Sequence, residues 1–248
     1  MKIISAFILS VVLLCPAFSA GAQQHVAEMS DTTQYSTDYR FSARQLILPG
    51  ALIATGAAFI SNDWIAGLDR HIGGHDIKAD SYLQYLPAAA YLGMGALGVE
   101  CKHGLRDRLL AGATAAIALG VMTEGLKLCI DERRPDGSDS RSFPSGHAAK
   151  AFAGAELIRL EYGTWYAVGA YSVATAVAVL RVCNSRHRFN DVVAGAGIGI
   201  LSARIGYWML PVYRKWFRLD GKPQTACAAL PYYSPADRSA GIAFTAVF

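Results

Sequence analysis

Three short polar clusters interrupt an otherwise apolar sequence, and they contain the residue types that bind and transfer phosphoryl groups. The first cluster, residues 127–135, contains Lys127 and Arg134 and ends at Pro135. If a helix continued beyond Lys127, the seven-residue spacing would place both cations on one helix face. A lysine and an arginine on one face can grip a single phosphate, the arginine through two hydrogen bonds and the lysine as a point charge.

The second cluster, residues 143–147, has the composition of a helix start. Its sequence is Phe-Pro-Ser-Gly-His, and proline and serine both favour the first positions of a helix. The free amide groups at such a start bind anions, and Gly146 allows an anion to approach the backbone closely. His147 at this position can give a proton to a leaving oxygen atom.

The third cluster, residues 181–191, contains Arg181, His187 and Asp191. His187 and Asp191 are four residues apart, so the carboxylate can hold one imidazole nitrogen and leave the other free to attack. Arg181 adds a third cation for phosphoryl oxygens. Each cluster alone could have a purely structural role: the first as an interfacial anchor, the second as a turn and the third as a helix cap. Together, in this order and beside apolar segments, they predict a functional site, because charges at membrane depth are costly.

The composition places these clusters in an apolar scaffold. Hydrophobic residues make up 53% of the 248 residues and charged residues 17%, with a mean hydropathy of +0.26. A typical soluble domain is nearer a quarter charged. The composition excludes a disordered chain, a coiled coil and a nucleic-acid-binding arm, and it favours a helical protein in lipid over a very apolar soluble α-domain. The net charge of +4 suits a membrane surface or an anionic head group better than nucleic acid.

Six apolar stretches, most of them rich in alanine and glycine, supply the elements that position the clusters. They are residues 45–61, 84–99, 108–126, 148–158, 164–182 and 192–211. We therefore predict an all-α, membrane-embedded bundle of about six helices over residues 44–212. Basic residues in 100–108 and after residue 211 indicate cytoplasmic connections, so 127–147 and 181–191 are expected to face outward.

The two ends of the chain differ from this bundle. Residues 1–22 have the charged start, apolar run and small residues of a secretory signal peptide, with an uncleaved anchor helix as the alternative. Residues 23–43 form a polar lead-in. Because a cleaved signal leaves the new N-terminus outside, one stretch must not cross, and the proline and glycine in 45–61 make it our candidate. The tail, 213–248, is expected to be either a short hairpin or a frayed end.

The three clusters resemble the signature of the type 2 phosphatidic acid phosphatase (PAP2) superfamily. That signature is Lys-x6-Arg-Pro, then Pro-Ser-Gly-His, then Ser-Arg-x5-His-x3-Asp. It runs here from Lys127 to Asp191, with Leu180 where the family usually has a small residue. This departure removes one hydroxyl contact and no charged group. The resemblance is firm over 107–195 and extends in helix pattern over 45–210.

The resemblance implies a PAP2/haloperoxidase-like helical fold and a phosphatase that uses neither a metal nor another cofactor. By this analogy, His187 would attack phosphorus and form a phosphohistidine, Asp191 would orient His187, and His147 would protonate the leaving oxygen. The phosphoryl oxygens would be held by Lys127, Arg134, Ser145, the Gly146 amide and Arg181.

Membrane relatives act on lipid phosphates and diphosphates, so the resemblance implies a lipid phosphate substrate, a membrane, no nucleic acid and no obligate protein partner readable from the sequence. It implies a multi-pass protein of the bacterial inner membrane with its active site facing the periplasm. Lipid A dephosphorylation ranks first and undecaprenyl diphosphate hydrolysis second. The rivals are a soluble periplasmic non-specific acid phosphatase, a vanadium-dependent haloperoxidase, and a lipid-binding or transport protein with a degenerate site.

Two further patterns have weaker interpretations. His71 and His75, with two neighbouring aspartates, have metal-like spacing, but their loop, 62–83, is better explained as a roof over the site that helps to select the head group. Cys129 and Cys183 lie inside the first and third clusters. They are expected to form either a disulfide between two phosphate-binding loops or two buried free thiols.

Overall fold

The computed structural model describes residues 41–60, 74 and 77–217, and the backbone of two strands at 226–234 and 239–247. The helices are α1 (Ile47–Ala58), α2 (Asp80–Leu83), α3 (Leu86–Gly93), α4 (Leu105–Cys129), α5 (Gly146–Tyr162), α6 (Thr164–Cys183) and α7 (Phe189–Phe217). Short 3-10 helices, Ala43–Leu46 and Met94–Leu97, precede α1 and follow α3. The predicted helical bundle is confirmed.

Helix α5 is the centre of the bundle and packs against α3, α6 and α7. Of its 17 residues, 12 are buried, so this helix has little surface left for lipid. Ala148, Ala151 and Ala155 are fully buried and let neighbouring helices approach closely. A Cβ atom on Gly195 of α7 would lie 2.5 Å from the Ser145 carbonyl oxygen. Because only glycine permits this approach, the start of α7 lies directly against the start of α5.

Helices α4 to α7 alternate in direction, which collects the chain connections at two ends of the bundle. Residues 130–145 and 184–188 form one end, called here the site end. At the opposite end, Asp107 of α4 pairs with Arg214 of α7 at 2.6 Å, and Lys102 Nζ donates to the Leu160 carbonyl oxygen at 3.0 Å. The three polar clusters therefore lie at the same end of the bundle.

The chain before α4 lies along this four-helix arrangement in two pieces. Residues 80–97 run from the site end, where Asp80 contacts α6, to the opposite end, where Gly95 lies against the Arg108 guanidinium. Helix α1 and the 3-10 helix before it together cover only part of α7, from Trp208 to the neighbourhood of Asn190. At 12 residues, about 18 Å, α1 is too short to cross a bilayer by itself.

Three helices of the described residues, α4, α6 and α7, are long and apolar enough to cross a membrane. Large apolar side chains cover the outer faces of α4 and α6; Ile117 and Val121 are each 69% exposed. Apolar faces of this size belong against lipid rather than water. The fold class predicted from the sequence, a membrane-embedded helical bundle, is confirmed.

The tail after the bundle forms a two-stranded antiparallel sheet, β1 (Ala226–Ser234) and β2 (Ser239–Val247). Ala226 lies opposite Val247 in its register, as a hairpin requires. The predicted signal peptide, the lead-in as far as residue 40, and the His71/His75 pair lie outside the described residues.

Candidate active site

The three clusters predicted from the sequence meet at the site end. Lys127 Nζ lies 3.9 Å from the position that a Cβ atom would take on Gly146, which joins the end of α4 to the start of α5. The Ser145 amide donates to the Asp191 carbonyl oxygen at 3.0 Å, which joins the start of α5 to the start of α7. Residues far apart in sequence thus share one small polar region.

Arg134 reaches this region by a route that the sequence did not predict. Helix α4 ends at Cys129, and Ile130 is extended, so Arg134 does not share a helix face with Lys127. The condition for a shared helix face is not met, because residues beyond 129 form a loop that bridges back on itself between Glu132 and Arg141. Arg134 is instead fixed by Asp139, whose Oδ1 lies 2.7 Å from its Nε.

His187 is nearly fully buried, and its Nδ1 atom faces two oxygen atoms. Asp191 Oδ2 and Ser142 Oγ are each 3.5 Å from Nδ1, and the Ser142 hydroxyl group also donates a short hydrogen bond to Asp191. The predicted contact between His187 and Asp191 is therefore long and is supplemented by a hydroxyl group. Sequence reasoning missed Ser142, whose one signal was its place just before the second cluster.

The surroundings of His187 keep its imidazole ring neutral. Burial lowers the pKa of His187 well below its ordinary value, and the positive charges of Arg181, Arg134 and Lys127 lower this pKa further. A neutral imidazole with Nδ1 directed at Asp191 has the lone pair of Nε2 available for attack.

His147 occupies the first turn of α5, and the electrostatic environment around it also disfavours a proton. Burial, followed by the charge of Arg181, lowers the pKa of His147 to about 4, while Asp80 acts in the opposite direction. A dianionic ligand beside His147 would raise this pKa, since a nearby negative charge favours the imidazolium form.

Arg181 is held by a carboxylate that the sequence did not identify. Its Nη1 atom lies 2.7 Å from Asp80 Oδ2, and both side chains are buried. Arg181 Nε and Ser145 Oγ are buried polar atoms without a hydrogen-bond partner among the described residues. A buried polar atom without a partner costs about 1–3 kcal/mol. Both atoms belong to the predicted phosphate-binding set, so an anion's oxygens would satisfy them.

Two other cations of the site end have acidic neighbours. Arg186 Nη1 lies 3.2 Å from Asp136 Oδ2, and Arg188 Nε lies 3.7 Å from Glu132 Oε1. The charge of Arg186 is therefore offset locally by Asp136. Within the part of the chain that the structure describes, no three His, Cys, Asp or Glu side chains are grouped to hold a metal ion.

Cys129 and Cys183 are free thiols in the structure. Of the two interpretations left open, the disulfide is wrong. The alternative also needs correction, because Cys129 is exposed and Cys183 is only partly buried. Leu180, the departure from the family signature, is buried at the end of α6.

Comparisons with known proteins agree with this arrangement. Residues 126–215 match the family model of the PAP2 superfamily. A lipid A 1-phosphatase of Porphyromonas gingivalis is 38% identical over 141 residues, which are 55% of this chain and 32% of that protein. The chain therefore spans about a third of the length of this relative.

Among solved structures, this chain is similar to the crystal structure of a transmembrane PAP2 type phosphatidylglycerolphosphate phosphatase from Bacillus subtilis. The match covers 71% of this chain and 98% of the Bacillus subtilis chain, at 19% identity and a TM-score of 0.45. The family match extends over all three polar clusters and every site residue that the sequence predicted. Residues 126–215 are thus similar to the PAP2 superfamily.

Proposed function

We propose that this protein is a membrane phosphatase that hydrolyses the phosphomonoester or diphosphate of an envelope lipid, with lipid A as its substrate. The observation that carries the proposal is the buried His187, which is kept neutral by burial and by three nearby cations. A neutral imidazole among cations suits attack on a phosphate dianion, since phosphoryl transfer depends on positioning and positive charge.

In the proposed first step, the Nε2 lone pair of His187 forms a bond to phosphorus while the bond from phosphorus to the lipid oxygen breaks. His147, protonated in the presence of the dianion, gives its proton to that leaving oxygen. Asp191 and the Ser142 hydroxyl group hold Nδ1, so the ring keeps its orientation as its charge develops.

In the second step, a water molecule attacks the phosphohistidine, the bond from phosphorus to Nε2 breaks, and the now neutral His147 accepts a proton from the water. Inorganic phosphate leaves, and both histidines return to their starting states. The cations and hydrogen-bond donors proposed to hold the phosphoryl oxygens in both steps are Lys127, Arg134, Ser145, the Gly146 amide and Arg181. Because these groups supply the positive charge, we propose that the reaction uses no metal.

The choice of lipid A follows from similarity to the lipid A 1-phosphatase, and undecaprenyl diphosphate is the alternative. A soluble acid phosphatase is disfavoured by three helices apolar enough to cross a membrane. The basic residues at the opposite end suit the cytoplasm and thereby direct the site end to the periplasm of the inner membrane. We retain as proposals the cleaved leader at 1–22, the lead-in at 23–43 and the bundle domain at 44–212.

The test is a phosphate-release assay on the purified full chain in detergent, with lipid A, undecaprenyl diphosphate, phosphatidylglycerophosphate and phosphatidic acid compared at equal concentration. We expect lipid A to be hydrolysed with the highest kcat/KM and EDTA to leave the rate unchanged. A brief incubation with ³²P-labelled substrate should leave an acid-labile label on the protein, absent from His187→Ala. A higher kcat/KM for another lipid would refute lipid A as the substrate. A label that persists in His187→Ala would refute His187 as the nucleophile.

A further inference from the structure

Glu132 is a buried carboxyl group that the proposed mechanism does not use. It lies in the loop after α4 and is 3% exposed. Both of its carboxyl oxygens lie 3.3 Å from the amide nitrogen Nδ2 of Asn190, and the same nitrogen lies 3.2 Å from Asp191 Oδ1. One side-chain amide group therefore links Glu132 to the carboxylate beside the nucleophile.

Two buried carboxyl groups in such proximity cannot both ionise without a large cost. Asp191 accepts hydrogen bonds from the Ser142 hydroxyl group, the Arg188 amide and Asn190, so the negative charge is better placed on Asp191. Glu132 is left to hold the proton. Burial, followed by the charge of Asp191, raises the pKa of Glu132 to about 7.

The largest charge effects on Glu132 come from Asp191 and Arg188. Arg188 opposes the effect of Asp191; its Nε lies 3.7 Å from Glu132 Oε1 and makes no hydrogen bond to a described residue. Arg188 therefore offsets the effects of burial and of Asp191 only in part, and the carboxyl group can change its charge near neutral pH.

We propose that Glu132 is a positioning residue that acts on His187 through Asn190 and Asp191. In its neutral form it leaves Asp191 as the single negative charge and, with Asn190, holds that carboxylate against Ser142 and His187. When Glu132 loses its proton, a second negative charge faces Asp191, and repulsion moves the carboxylate away from the imidazole. The inference rests on the proposed role of His187 as the nucleophile.

The direction of the pH effect follows from this arrangement. Glu132 is neutral below about pH 7 and becomes charged above it. The proposal therefore requires activity to fall on the alkaline side. The substrate phosphate titrates in the same range, so the wild-type profile alone does not identify Glu132.

Glu132→Gln isolates this one group, because a carboxamide has the shape of the neutral acid and cannot ionise. We expect the ratio of wild-type to variant kcat/KM to fall at least about tenfold between pH 6 and pH 8.5, as one ionisation near pH 7 predicts. Glu132→Ala serves as a second variant that does not titrate; its ratio should have the same pH dependence at a different amplitude. A purely structural role would lower activity by the same factor at every pH.

Glu100→Gln is the matched control, since Glu100 is exposed and precedes α4 at the opposite end. Its profile should superimpose on the wild-type profile. A ratio that stays constant with pH for Glu132→Gln or Glu132→Ala would overturn the inference, even if the enzyme is active. Full activity in His187→Ala would instead overturn the proposed nucleophile, so the two failures are distinguishable.

Discussion

Among the described residues, two buried pairs of a histidine and a carboxylate lie one at each end of the bundle, and they differ in the number and length of their hydrogen bonds. At the opposite end, His103 Nδ1 lies 2.8 Å from Glu161 Oε2. The Glu161 carboxylate also accepts hydrogen bonds from the His103 amide at 2.6 Å and the Tyr207 hydroxyl group at 2.7 Å. At the site end, the distance between His187 Nδ1 and Asp191 Oδ2 is 3.5 Å.

The residues around the two pairs also differ in how many of their buried polar atoms have hydrogen-bond partners. The hydrogen bonds of Glu161 continue through Tyr207 and Tyr91. Among the described residues of this network, Arg108 Nε is the one buried side-chain atom without a hydrogen-bond partner. At the site end, three cations face His187, and buried polar atoms of Ser145 and Arg181 lack partners. A buried histidine beside a carboxylate therefore does not mark a site by itself. We propose that the cations around His187 and the buried polar atoms without partners are what indicate the candidate site.

The sharpest test of this comparison replaces the two histidines. His187→Ala is expected to lower kcat/KM by at least about 10³-fold, as loss of a nucleophile does. His103→Ala is expected to lower thermal stability and to leave kcat/KM per folded molecule within about twofold. Phosphate release and thermal unfolding in detergent, measured on the same preparations, check both. Similar activity losses in the two variants would contradict the division of roles.

Two arginine–carboxylate pairs, one at each end of the bundle, offer a second test. Arg181 pairs with Asp80 at 2.7 Å at the site end, and Arg214 pairs with Asp107 at 2.6 Å at the opposite end. Arg181→Ala is expected to lower kcat by about 10²-fold, because one donor to a developing oxyanion is lost. Arg214→Ala should leave kcat nearly unchanged. Equal kcat values for both variants would argue that Arg181 is structural.

Removing the Glu161 carboxylate at the opposite end should lower stability and leave activity unchanged. Glu161→Gln leaves fewer acceptors for His103 and Tyr207, so the free energy of unfolding is expected to fall by about 2 kcal/mol. The kcat/KM of the folded protein should not change, because Glu161 lies at the far end of α5 from the three clusters. Reversible unfolding in detergent and the lipid assay measure the two quantities. An activity loss larger than the loss of folded protein would contradict this expectation.

The sequence predicted the helical bundle, which is confirmed, from the local spacing of apolar residues. It predicted eight candidate site residues from fixed intervals, and their roles stay a prediction. Apolar stretches rich in small residues indicated the helices, and fixed intervals within the clusters indicated the site. Residues without such a pattern were not predicted. Asp80 contacts Arg181, which is 101 positions away in sequence, and Ser142 contacts Asp191, which is 49 positions away. Neither contact has a local signal, because each depends on how the helices pack.

Arg134 and Glu132 show a second limit of sequence reasoning. The spacing from Lys127 to Arg134 fits two helix turns, yet the chain leaves the helix at Ile130 and reaches the same place by a loop. Glu132 counted in the sequence only as one of several acids that offset nearby cations. Its burial against Asn190 depends on the route of that loop, which helical periodicity does not encode.

His147 at the site end should lower the free energy of unfolding as the pH falls. The pKa of His147 is about 4 in the folded protein, so between pH 6.5 and pH 4 the unfolded chain binds a proton that the folded chain does not. Stability from this group is thus lost as pH falls below 6.5. In His147→Asn, the decline in stability between pH 7 and pH 5 should be smaller by about 2 kcal/mol. Thermal unfolding at several pH values tests this, and parallel curves would contradict it.

The smallest expected effect concerns two lysines near the ends of α5. Lys150 lies one turn after His147, with Nζ 3.5 Å from the Tyr85 hydroxyl oxygen and 5.2 Å from the ring centroid. At the opposite end, Lys102 Nζ donates to a carbonyl oxygen of α5 at 3.0 Å. A cation this near the site, held only by weak contacts among the described residues, can meet a second anionic group of a lipid head group.

Lys150→Gln should therefore raise KM about two- to fivefold for a lipid with two phosphates, which corresponds to an exposed ion pair of about 0.5–1 kcal/mol. It should leave KM unchanged for a lipid with one phosphate, and kcat should not change for either. Lys102→Gln, the matched control, should change neither constant. If Lys150→Gln raised KM equally for both lipids, the charge of Lys150 would act on the phosphate that is hydrolysed. Lys150 would then belong to the phosphate-binding residues of the site.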